Sequence, residues 1–317
     1  MARPGLWVFV VILIEVLVGY AVAKASPEER LTYYSDYFSF IGLDDRGRVA
    51  FALDINRGQD GDEFQAEHFV VLHDETDGWQ KLDGNGLFPN PDGRLAIIPD
   101  SAHFRFTGLP GTGMAIESPA NRLVLKIQSI PMVIDRQYLN DTYRMGSAPA
   151  TLNWRDRSLM GRVIYEFVHF SNWNRLTRTY VGFWKNFHGI YLMTVNPVTK
   201  APGDFYLHSQ QSNTRKSLIG LVDGFAVIDG STLHLNETDI RVTSKRPALG
   251  FYLWPNSWAG HWQNKSNSQK IEFSLRLTER KTFGNWVIGG FAMGIVKGVV
   301  SHQGRTLDAY GLGEIIK

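Results

Sequence analysis

The chain has 317 residues, of which 33 are basic and 31 acidic, and it contains no cysteine. The two signs of charge are nearly balanced and interspersed, which is not the pattern of a nucleic-acid-binding protein or of a polybasic membrane-binding surface. The lack of cysteine excludes disulfide bonds, thiol catalysis and thiolate metal sites, so the core alone must hold the fold together.

The N-terminus has the pattern of a secretory signal peptide. An apolar run at 6–23 follows Arg3 and is interrupted by Glu15, and the small residues Ala23 and Ala25 occupy the two positions that signal peptidase reads. We expect residues 1–25 to be removed, which leaves a periplasmic or secreted protein. The alternative is an uncleaved anchor, because the run reaches the roughly 17 residues that a membrane span requires. Residues 6–23 would then attach the protein to a membrane.

Alternation of apolar and polar residues predicts β-strands in the first half of the chain. Residues 34–43 and 49–55 form a predicted hairpin around a turn at 44–47. Two further strands are predicted at 67–73 and 123–127.

A loop is predicted at 143–159, where glycine, proline, asparagine and aspartate interrupt the strand pattern. This loop is the expected boundary between two domains, at 26–158 and 159–317. Each of these segments has about the size of one small β-barrel.

Strand patterns continue through the second half, and no sustained helical period stands out. Two strands are predicted within 179–195, with a turn near 186–189. Others are predicted at 204–208, 218–228, 231–235, 240–243, 249–254 and 270–277. The apolar run at 285–300 contains four glycines and a lysine, which favours a β-hairpin with a turn at 301–304 over a membrane helix. The chain is therefore predicted to be all-β, as a sandwich or a barrel.

The predicted strand at 161–170 is apolar on both faces. Because successive side chains point to opposite sides, Tyr165, Phe167 and His169 share one face, and Glu166 and Val168 lie on the other. A strand with two buried faces belongs to the middle of a covered sheet. A carboxyl group in such a place is either paired or has a shifted pKa. Glu166 and His169 are not expected to share a cavity unless the strand contains a bulge.

Three segments carry a recognisable pattern. They are Tyr-Ser-Asp-Tyr-Phe-Ser-Phe-Ile-Gly at 34–42, Gly-Arg-Val-Ile-Tyr-Glu at 161–166 and Tyr-Gly-Leu-Gly-Glu at 310–314. In order and spacing they resemble the AttH and carotenoid 1,2-hydratase (hydroxyneurosporene synthase) family. The resemblance implies an all-β chain of two lipocalin-like antiparallel β-barrels or half-barrels in tandem. It also implies a hydrophobic ligand such as an isoprenoid or a polyketide-like molecule.

The chain departs from the family pattern next to Glu166. Where the family has adjacent Glu and His, this chain has Glu166 followed by Phe167, and His169 comes three residues after the glutamate. The Trp-Gly that follows in the family is replaced by Asn-Trp-Asn at 172–174. The resemblance therefore implies the fold more directly than the activity.

Glu166 is the predicted catalytic residue. In an apolar barrel, burial raises the pKa of a carboxyl group, so that it holds a proton near neutrality and can act as a general acid towards an alkene. Aromatic faces would stabilise the resulting carbocation, and the candidates are Tyr165, Phe167, Trp173, Trp184 and Tyr191. The alternative is a structural ion pair with Arg162, Arg175, Arg178 or Lys185.

Seven side chains are predicted to bind the ligand, namely Asp36, Tyr37, Tyr165, His169, Trp173, Trp184 and Tyr191. Asp36 is a polar residue in an aromatic strand, which either binds backbone amides at the barrel entrance or lines the cavity. His169 is a candidate base, with a hydrogen-bonded histidine at the core or rim as the alternative.

No metal site and no cofactor are predicted. His68 and His73 stand on one strand without the His-x-His or His-Glu-x-x-His spacing of a zinc site. Tryptophans at 254, 258 and 262 form either a stacking platform for sugars or the cap of a barrel end.

Three functions are consistent with these features. The first is acid-initiated hydration, isomerisation or cyclisation of an isoprenoid-like molecule, with Glu166 as the acid. The second is a non-catalytic lipid carrier or envelope protein. The third is a carbohydrate-binding protein that uses the cluster from Trp254 to Trp262. The expected partner in the first two is a hydrophobic small molecule, and no nucleic acid is expected.

Overall fold

The chain is built of antiparallel β-strands. The computed structural model describes residues 31–60, 63–90, 94–173, 187–210, 218–235, 239–247, 253–264, 268–283 and 291–316. This part of the chain contains twenty strands and no helix, so the predicted all-β class is confirmed. It accordingly offers no helix with the length and hydrophobicity needed to cross a membrane. The predicted signal peptide at 1–25 lies outside the described residues.

The first sheet contains eleven strands from the first half of the chain. They are β1 (Leu31–Asp44), β2 (Gly47–Asp60), β3 (Glu63–Asp74), β4 (Gly78–Gln80), β5 (Gly86–Pro89), β6 (Arg105–Leu109), β7 (Gly113–Ser118), β8 (Leu123–Ile127), β9 (Met132–Tyr138), β10 (Asp141–Trp154) and β11 (Arg157–Trp173). Their order is β4-β3-β2-β1-β11-β10-β8-β7-β6, with β5 paired to β3 and β9 paired to β10.

The second sheet contains the nine remaining strands. They are β12 (Phe187–Val195), β13 (Pro202–Ser209), β14 (Val222–Ile228), β15 (Ser231–His234), β16 (Asp239–Pro247), β17 (Leu253–Gln263), β18 (Lys270–Phe283), β19 (Phe291–His302) and β20 (Arg305–Ile316). Their order is β15-β14-β13-β12-β20-β19-β18-β17-β16. Each sheet curls into a half-barrel, and the two follow one another along the chain.

Most predicted strands are observed, and two predicted turns are not. The hairpin turns at 45–46 and 303–304 confirm the first and the last predicted hairpins. The loop predicted at 143–159 is wrong, because β10 and β11 cover that stretch and leave only a turn at 155–156. The turn predicted near 186–189 is also wrong, because strand β12 begins at Phe187 and pairs with β13 on one side and β20 on the other.

The chain passes from the first sheet to the second at a later position than the predicted domain boundary. β11 pairs with both β1 and β10 through most of its length, so the first sheet extends to Trp173 and the second begins at Phe187. The division into domains at 26–158 and 159–317 stays a prediction.

Three groups of buried side chains make up the core. One lies in the first half-barrel and includes Phe38 and Phe40, and another lies in the second and includes Leu192. The third joins side chains of both sheets, among them Tyr37 and Tyr191. Strand β1 contributes alternate residues to the first and the third groups, which is why both of its faces are apolar. The candidate site described below lies among residues of the third group.

Polar pairs connect the two sheets around this shared core. The Arg162 guanidinium forms an ion pair with Asp204, and Arg136 forms one with Asp223. A third ion pair joins Lys297 and Glu75, with 2.7 Å between Lys297 Nζ and Glu75 Oε1. These pairs fix the sheets relative to one another and hence fix the site between them.

Strands β1 and β11 approach closely at a pair of facing glycines, Gly42 and Gly161. A Cβ atom added to Gly161 would lie 2.1 Å from the backbone oxygen of Ile41. Because backbone has to move, we expect Gly161→Ala to lower the free energy of unfolding by about 1–3 kcal/mol. Urea denaturation of the variant measures this loss.

The matched control is Gly58→Ala in strand β2, where the nearest atom to an added Cβ is the Thr32 oxygen at 3.7 Å. This control is expected to show no loss of stability, since that distance is an ordinary contact. Equal losses in the two variants would show that close strand approach is not the reason for Gly161.

Candidate active site

Three neighbouring strands place a row of polar side chains on the face that meets the second sheet. Tyr37 of β1 stands opposite Asp54 of β2 on one side and opposite Glu166 of β11 on the other. Cross-strand neighbours of this kind point to the same face of a sheet. The row brings a phenol and two carboxyl groups to the shared core.

The second sheet supplies the opposite wall. Tyr191 of β12 stands opposite Leu312 of β20, and Glu314 stands opposite Gly189 two residues further on. Residues two apart on a strand lie on one face, so Glu314 and Leu312 both point towards the first sheet. Glycine at 189 places no side chain beside Glu314.

A cavity of about 170 Å³ lies between these walls. Its lining is aromatic and aliphatic except for three carboxyl groups, a serine and an asparagine. The lining residues are Tyr33, Ser35, Tyr37, Asp54, Asn56, Glu166, Val168, Phe170, Phe187, Tyr191, Glu314 and Ile316. A cavity of about 150 Å³ can hold a benzene molecule, so this one has room for a single small end group of a ligand.

Glu166 and Glu314 share one phenol. The Tyr191 hydroxyl lies 3.3 Å from an Oε2 atom of each glutamate. A phenol has one proton to donate, so it satisfies one carboxylate at a time, and the other glutamate is favoured in its protonated form. Burial together with the nearby Asp54 raises the pKa of Glu166 to about 8. Burial, with Glu166 as the next cause, raises the pKa of Glu314 well above its ordinary value.

Asp54 differs from the two glutamates in its hydrogen bonds. It accepts hydrogen bonds from Ser35 Oγ at 2.8 Å and from Asn56 Nδ2 at 2.9 Å. The Tyr33 hydroxyl in turn donates a hydrogen bond to Asn56 Oδ1. Burial raises the pKa of Asp54 to about 6, against the lowering effect of these donors. At neutral pH the site therefore contains a carboxyl that ionises readily beside one that keeps its proton.

Tyr37 lines the cavity and has a buried hydroxyl. Its oxygen is buried and makes no hydrogen bond of ordinary geometry among the residues that the structure describes, although the Ser39 side chain interacts with it. The Tyr37 ring lies beside that of Tyr191, with 5.0 Å between the ring centroids. An unsatisfied buried hydroxyl is costly, and a ligand with a polar group at this point would satisfy it.

The described residues give Glu166 no positive partner. Of the arginines and the lysine considered as ion-pair partners, Arg162 binds Asp204 instead. Arg175, Arg178 and Lys185 lie outside the described residues. Within the described part of the chain, neither glutamate of the cavity takes part in a salt bridge.

Asp36, Tyr165 and His169 do not reach this cavity. Asp36 and Tyr165 point into the first half-barrel, where Asp36 pairs with the buried Arg57 and accepts a hydrogen bond from the Tyr165 hydroxyl. The predicted strand alternation places His169 on the face opposite Glu166, and there it stacks on Tyr34 at 4.3 Å between centroids. Burial lowers the pKa of His169. Neither the Trp173 side chain nor Trp184 is among the described parts of the molecule.

The tryptophan cluster lies in the second half-barrel. Trp258 and Trp262 are buried in its core and present no open ring face for a sugar. This agrees with the barrel-cap interpretation and not with the stacking platform. The Trp254 side chain lies outside the described parts of the molecule.

The two histidines considered for a metal site are separated by their environments. His68 packs among phenylalanines of the first half-barrel, and His73 contacts Tyr310 and Glu279 between the sheets. No group of three or more histidine, aspartate and glutamate residues in the described ranges is arranged to hold a metal ion.

Glu166, Tyr37 and Tyr191 of the cavity lining are among the site residues predicted from the sequence, whereas Glu314 and Asp54 are not. Glu314 ends the Tyr-Gly-Leu-Gly-Glu segment, where it stands among apolar residues and glycines. A lone carboxylate in an apolar strand is the same signal that identified Glu166. Asp54 gave a weaker signal, because an aspartate in an alternating strand is usually solvated.

Comparison with known proteins supports the fold. No family model matches the chain, and no curated protein matches its sequence. Its structure is similar to that of a protein from Nitrosomonas europaea described as an AttH, with a TM-score of 0.55 and 10% identity over 90% of this chain and 92% of that one. It is also similar to CghA, with a TM-score of 0.50 and 10% identity over 90% and 88% of the two chains.

A kievitone hydratase from Nectria haematococca aligns with a TM-score of 0.46 and 11% identity over 93% of this chain and 91% of that one, which is too low to add to the comparison. Identities of this size establish a shared fold and nothing finer. The lipocalin-like tandem architecture that the sequence resemblance implies is thus confirmed as a fold.

Proposed function

We propose that the cavity binds one end of a hydrophobic, isoprenoid- or lipid-like molecule and protonates a carbon–carbon double bond in it. The observation that carries the proposal is the pair of glutamates on either side of the Tyr191 hydroxyl, in an aromatic cavity where neither has a described cationic partner. A carboxylic acid that stays protonated at neutral pH is the group that such a reaction requires.

Glu166 is the acid in this proposal. Its O–H bond breaks, the proton and the π electrons of the alkene form a new C–H bond, and a cation remains on the other alkene carbon. A water molecule then bonds to that carbon and loses a proton to the Asp54 carboxylate, which ionises most readily of the three. The net reaction is addition of one water molecule. Loss of a neighbouring proton from the cation instead gives an isomer. Attack by a second double bond closes a ring and moves the cation to a new carbon, which then loses a proton to the same carboxylate.

Tyr191 connects the two glutamates in this cycle. Its hydroxyl contacts both carboxyl groups, so it can give its proton to Glu166 while it takes one from Glu314. The aromatic lining stabilises the cation between these steps, because ring faces attract positive charge. Tyr33, Tyr37, Phe170 and Phe187 contribute to that lining.

Deuterium incorporation tests the proposal even while the substrate is unidentified. The purified protein is incubated in D₂O with a lipid and isoprenoid extract, and the extract is compared by mass spectrometry before and after. Hydration, isomerisation and cyclisation begun by an acid all leave a deuterium on carbon, so one experiment detects all three. Glu166→Gln is expected to reduce the incorporation by about 100-fold or more, which is the usual contribution of a general acid.

The matched control is Glu272→Gln, which changes an exposed carboxyl on β18 and is expected to leave the incorporation unchanged. Equal incorporation by Glu166→Gln and the unaltered protein would rule out Glu166 as the acid. If the unaltered protein incorporates no deuterium but retains a hydrophobic molecule from the extract, the non-catalytic carrier is the correct function.

Export is a further part of the proposal. It is supported by the apolar run at 6–23 and by the small residues at 23 and 25. We place the mature protein in the periplasm or outside the cell, or on a membrane if the segment is retained. N-terminal sequencing of the protein from its native host distinguishes these outcomes.

A further inference from the structure

The cavity gathers three carboxyl groups, and no described cationic side chain pairs with them. Asp54, Glu166 and Glu314 line it from strands β2, β11 and β20, and none of them forms a salt bridge within the described ranges. Like charges gathered in a desolvated space are unfavourable unless they bind protons or a cation. The free cavity is therefore complementary to positive charge.

The walls of the cavity favour the same kind of ligand. Tyr33 stacks on Phe170 with 6.1 Å between ring centroids, and Tyr37 lies beside Tyr191. Aromatic faces attract organic cations, with an energy that increases when the cation is desolvated. Carboxylates combined with aromatic rings form the usual environment for a bound amine.

Tyr37 gives a second indication that the cavity can accept a polar group. The residue is 6% exposed and lines the cavity, and its hydroxyl makes no hydrogen bond of ordinary geometry within the described residues, with Ser39 as the side chain that interacts with it. A phenol oxygen accepts hydrogen bonds from an ammonium group. It can therefore bind an N–H group that is also attracted by the carboxylates.

We propose that this cavity binds an alkylammonium ion with a small branched hydrocarbon chain. The ammonium group would lie among Asp54, Glu166, Glu314 and the Tyr37 hydroxyl, and the chain would lie against the rings. The inference deepens the proposed function, because a site that stabilises a carbocation also attracts a stable cation of similar size. It rests on the charge balance of the free cavity and does not require the catalytic step.

The probes are 3-methylbutylamine and 3-methylbutan-1-ol, which share one carbon skeleton and differ in charge. Titration calorimetry with the full chain at pH 8 is expected to show at least tenfold tighter binding of the amine. The amine stays protonated between pH 5.5 and 8.5, whereas Asp54 and Glu166, whose pKa values burial raises to about 6 and about 8, ionise over this range. Its affinity is expected to rise at least fivefold from the lower to the higher pH, while that of the alcohol stays constant.

Proton release provides a second measurement. An ammonium ion favours the ionised carboxylates, so its binding expels protons from Glu166 and Glu314, whose pKa values burial raises. Tyr37 and Tyr191, from β1 and β12, also face these carboxyls, but burial raises the pKa of both phenols above the range of the titration. Titration at pH 7 in two buffers with different ionisation enthalpies is expected to show release of protons with the amine and none with the alcohol.

Variants locate the site and separate it from the proposed catalysis. Glu166→Gln and Glu314→Gln are expected to weaken amine binding at least fivefold at pH 8 and to leave alcohol binding unchanged, which also shows that they remain folded. Glu272→Gln should bind both probes as the unaltered protein does. Equal affinities of the unaltered protein for amine and alcohol at pH 8 would overturn the inference. Amine binding without deuterium incorporation would retain the cation site and refute the acid catalysis, and the converse result would refute only the cation site.

Discussion

Arg57→Met is expected to lower the free energy of unfolding by about 3–5 kcal/mol, because it leaves the Asp36 carboxylate buried without its counter-charge. Both side chains are almost fully buried, with exposures of 0% for Arg57 and 5% for Asp36. The arginine also donates from Nε to the Leu95 backbone oxygen at 2.7 Å, so the variant loses that hydrogen bond too. Urea denaturation followed by circular dichroism measures the effect.

Two further variants identify the cause of this loss. Arg57→Met combined with Asp36→Leu removes both charges, and we expect it to recover much of the lost stability, since a buried ion pair can be replaced by apolar residues at little cost. Arg241→Met breaks the exposed pair with Asp239 and should cost at most about 1 kcal/mol. A loss below about 1 kcal/mol for Arg57→Met would mean that water molecules or a local rearrangement provide the Asp36 carboxylate with new hydrogen bonds.

The ion pair between Asp36 and Arg57 is a feature that the sequence alone did not predict. Asp36 and Tyr37 were both predicted to bind the ligand, but they are adjacent in strand β1, so alternation points them to opposite faces. It does not tell which face meets the cavity, because both faces of β1 are aromatic and both are buried. The register of β2 decides the matter, since it brings Arg57 to Asp36 and Asp54 to Tyr37.

The fold was predictable to the level of its strands and its family likeness, and the site only in part. Local alternation and turn residues indicate the hairpins, and the lone carboxylate in strand 161–170 identifies Glu166. The pairing of Glu166 with Glu314, which is 148 residues later in the chain, depends on how two separate sheets pack. Non-local packing of this kind leaves no periodic signal in the sequence. The loop wrongly predicted at 143–159 has the same origin, because burial between neighbours makes strands of segments with unfavourable residues.

Glu166→Gln is expected to stabilise the protein at alkaline pH. Burial raises the pKa of the carboxyl to about 8 in the folded protein, whereas in the unfolded chain it is near the ordinary value of about 4.3. Between these values the unfolded state loses a proton that the folded state keeps, so the stability that Glu166 contributes is complete below the unfolded pKa and is lost as the pH rises towards 8. Glutamine has no proton to lose and avoids this decline.

The expected gain for Glu166→Gln is near zero at pH 4 and about 2–5 kcal/mol at pH 8.5, from about 1.4 kcal/mol for each unit of pKa difference. Thermal and urea unfolding at pH 4, 6 and 8.5 measure it, with Glu272→Gln as the exposed control that follows the unaltered protein. A lower stability of Glu166→Gln at pH 8.5 would mean that the ionised carboxylate is well satisfied in the folded state. That result would remove the physical basis for Glu166 as an acid at neutral pH.

The same substitution is expected to reduce deuterium incorporation by about 100-fold or more, so its effects on stability and on activity have opposite signs. A residue that only holds the structure together loses stability when it is replaced, whereas a group kept in an unfavourable environment for its reactivity gains stability when it is neutralised. Glu314→Gln should likewise stabilise the protein at alkaline pH, since burial and Glu166 raise the pKa of its carboxyl. In the double variant the two gains should not add fully, because each glutamate is one cause of the unfavourable environment of the other. A stability gain in the double variant smaller than the sum of the single gains would thus demonstrate that Glu166 and Glu314 form one coupled acid site.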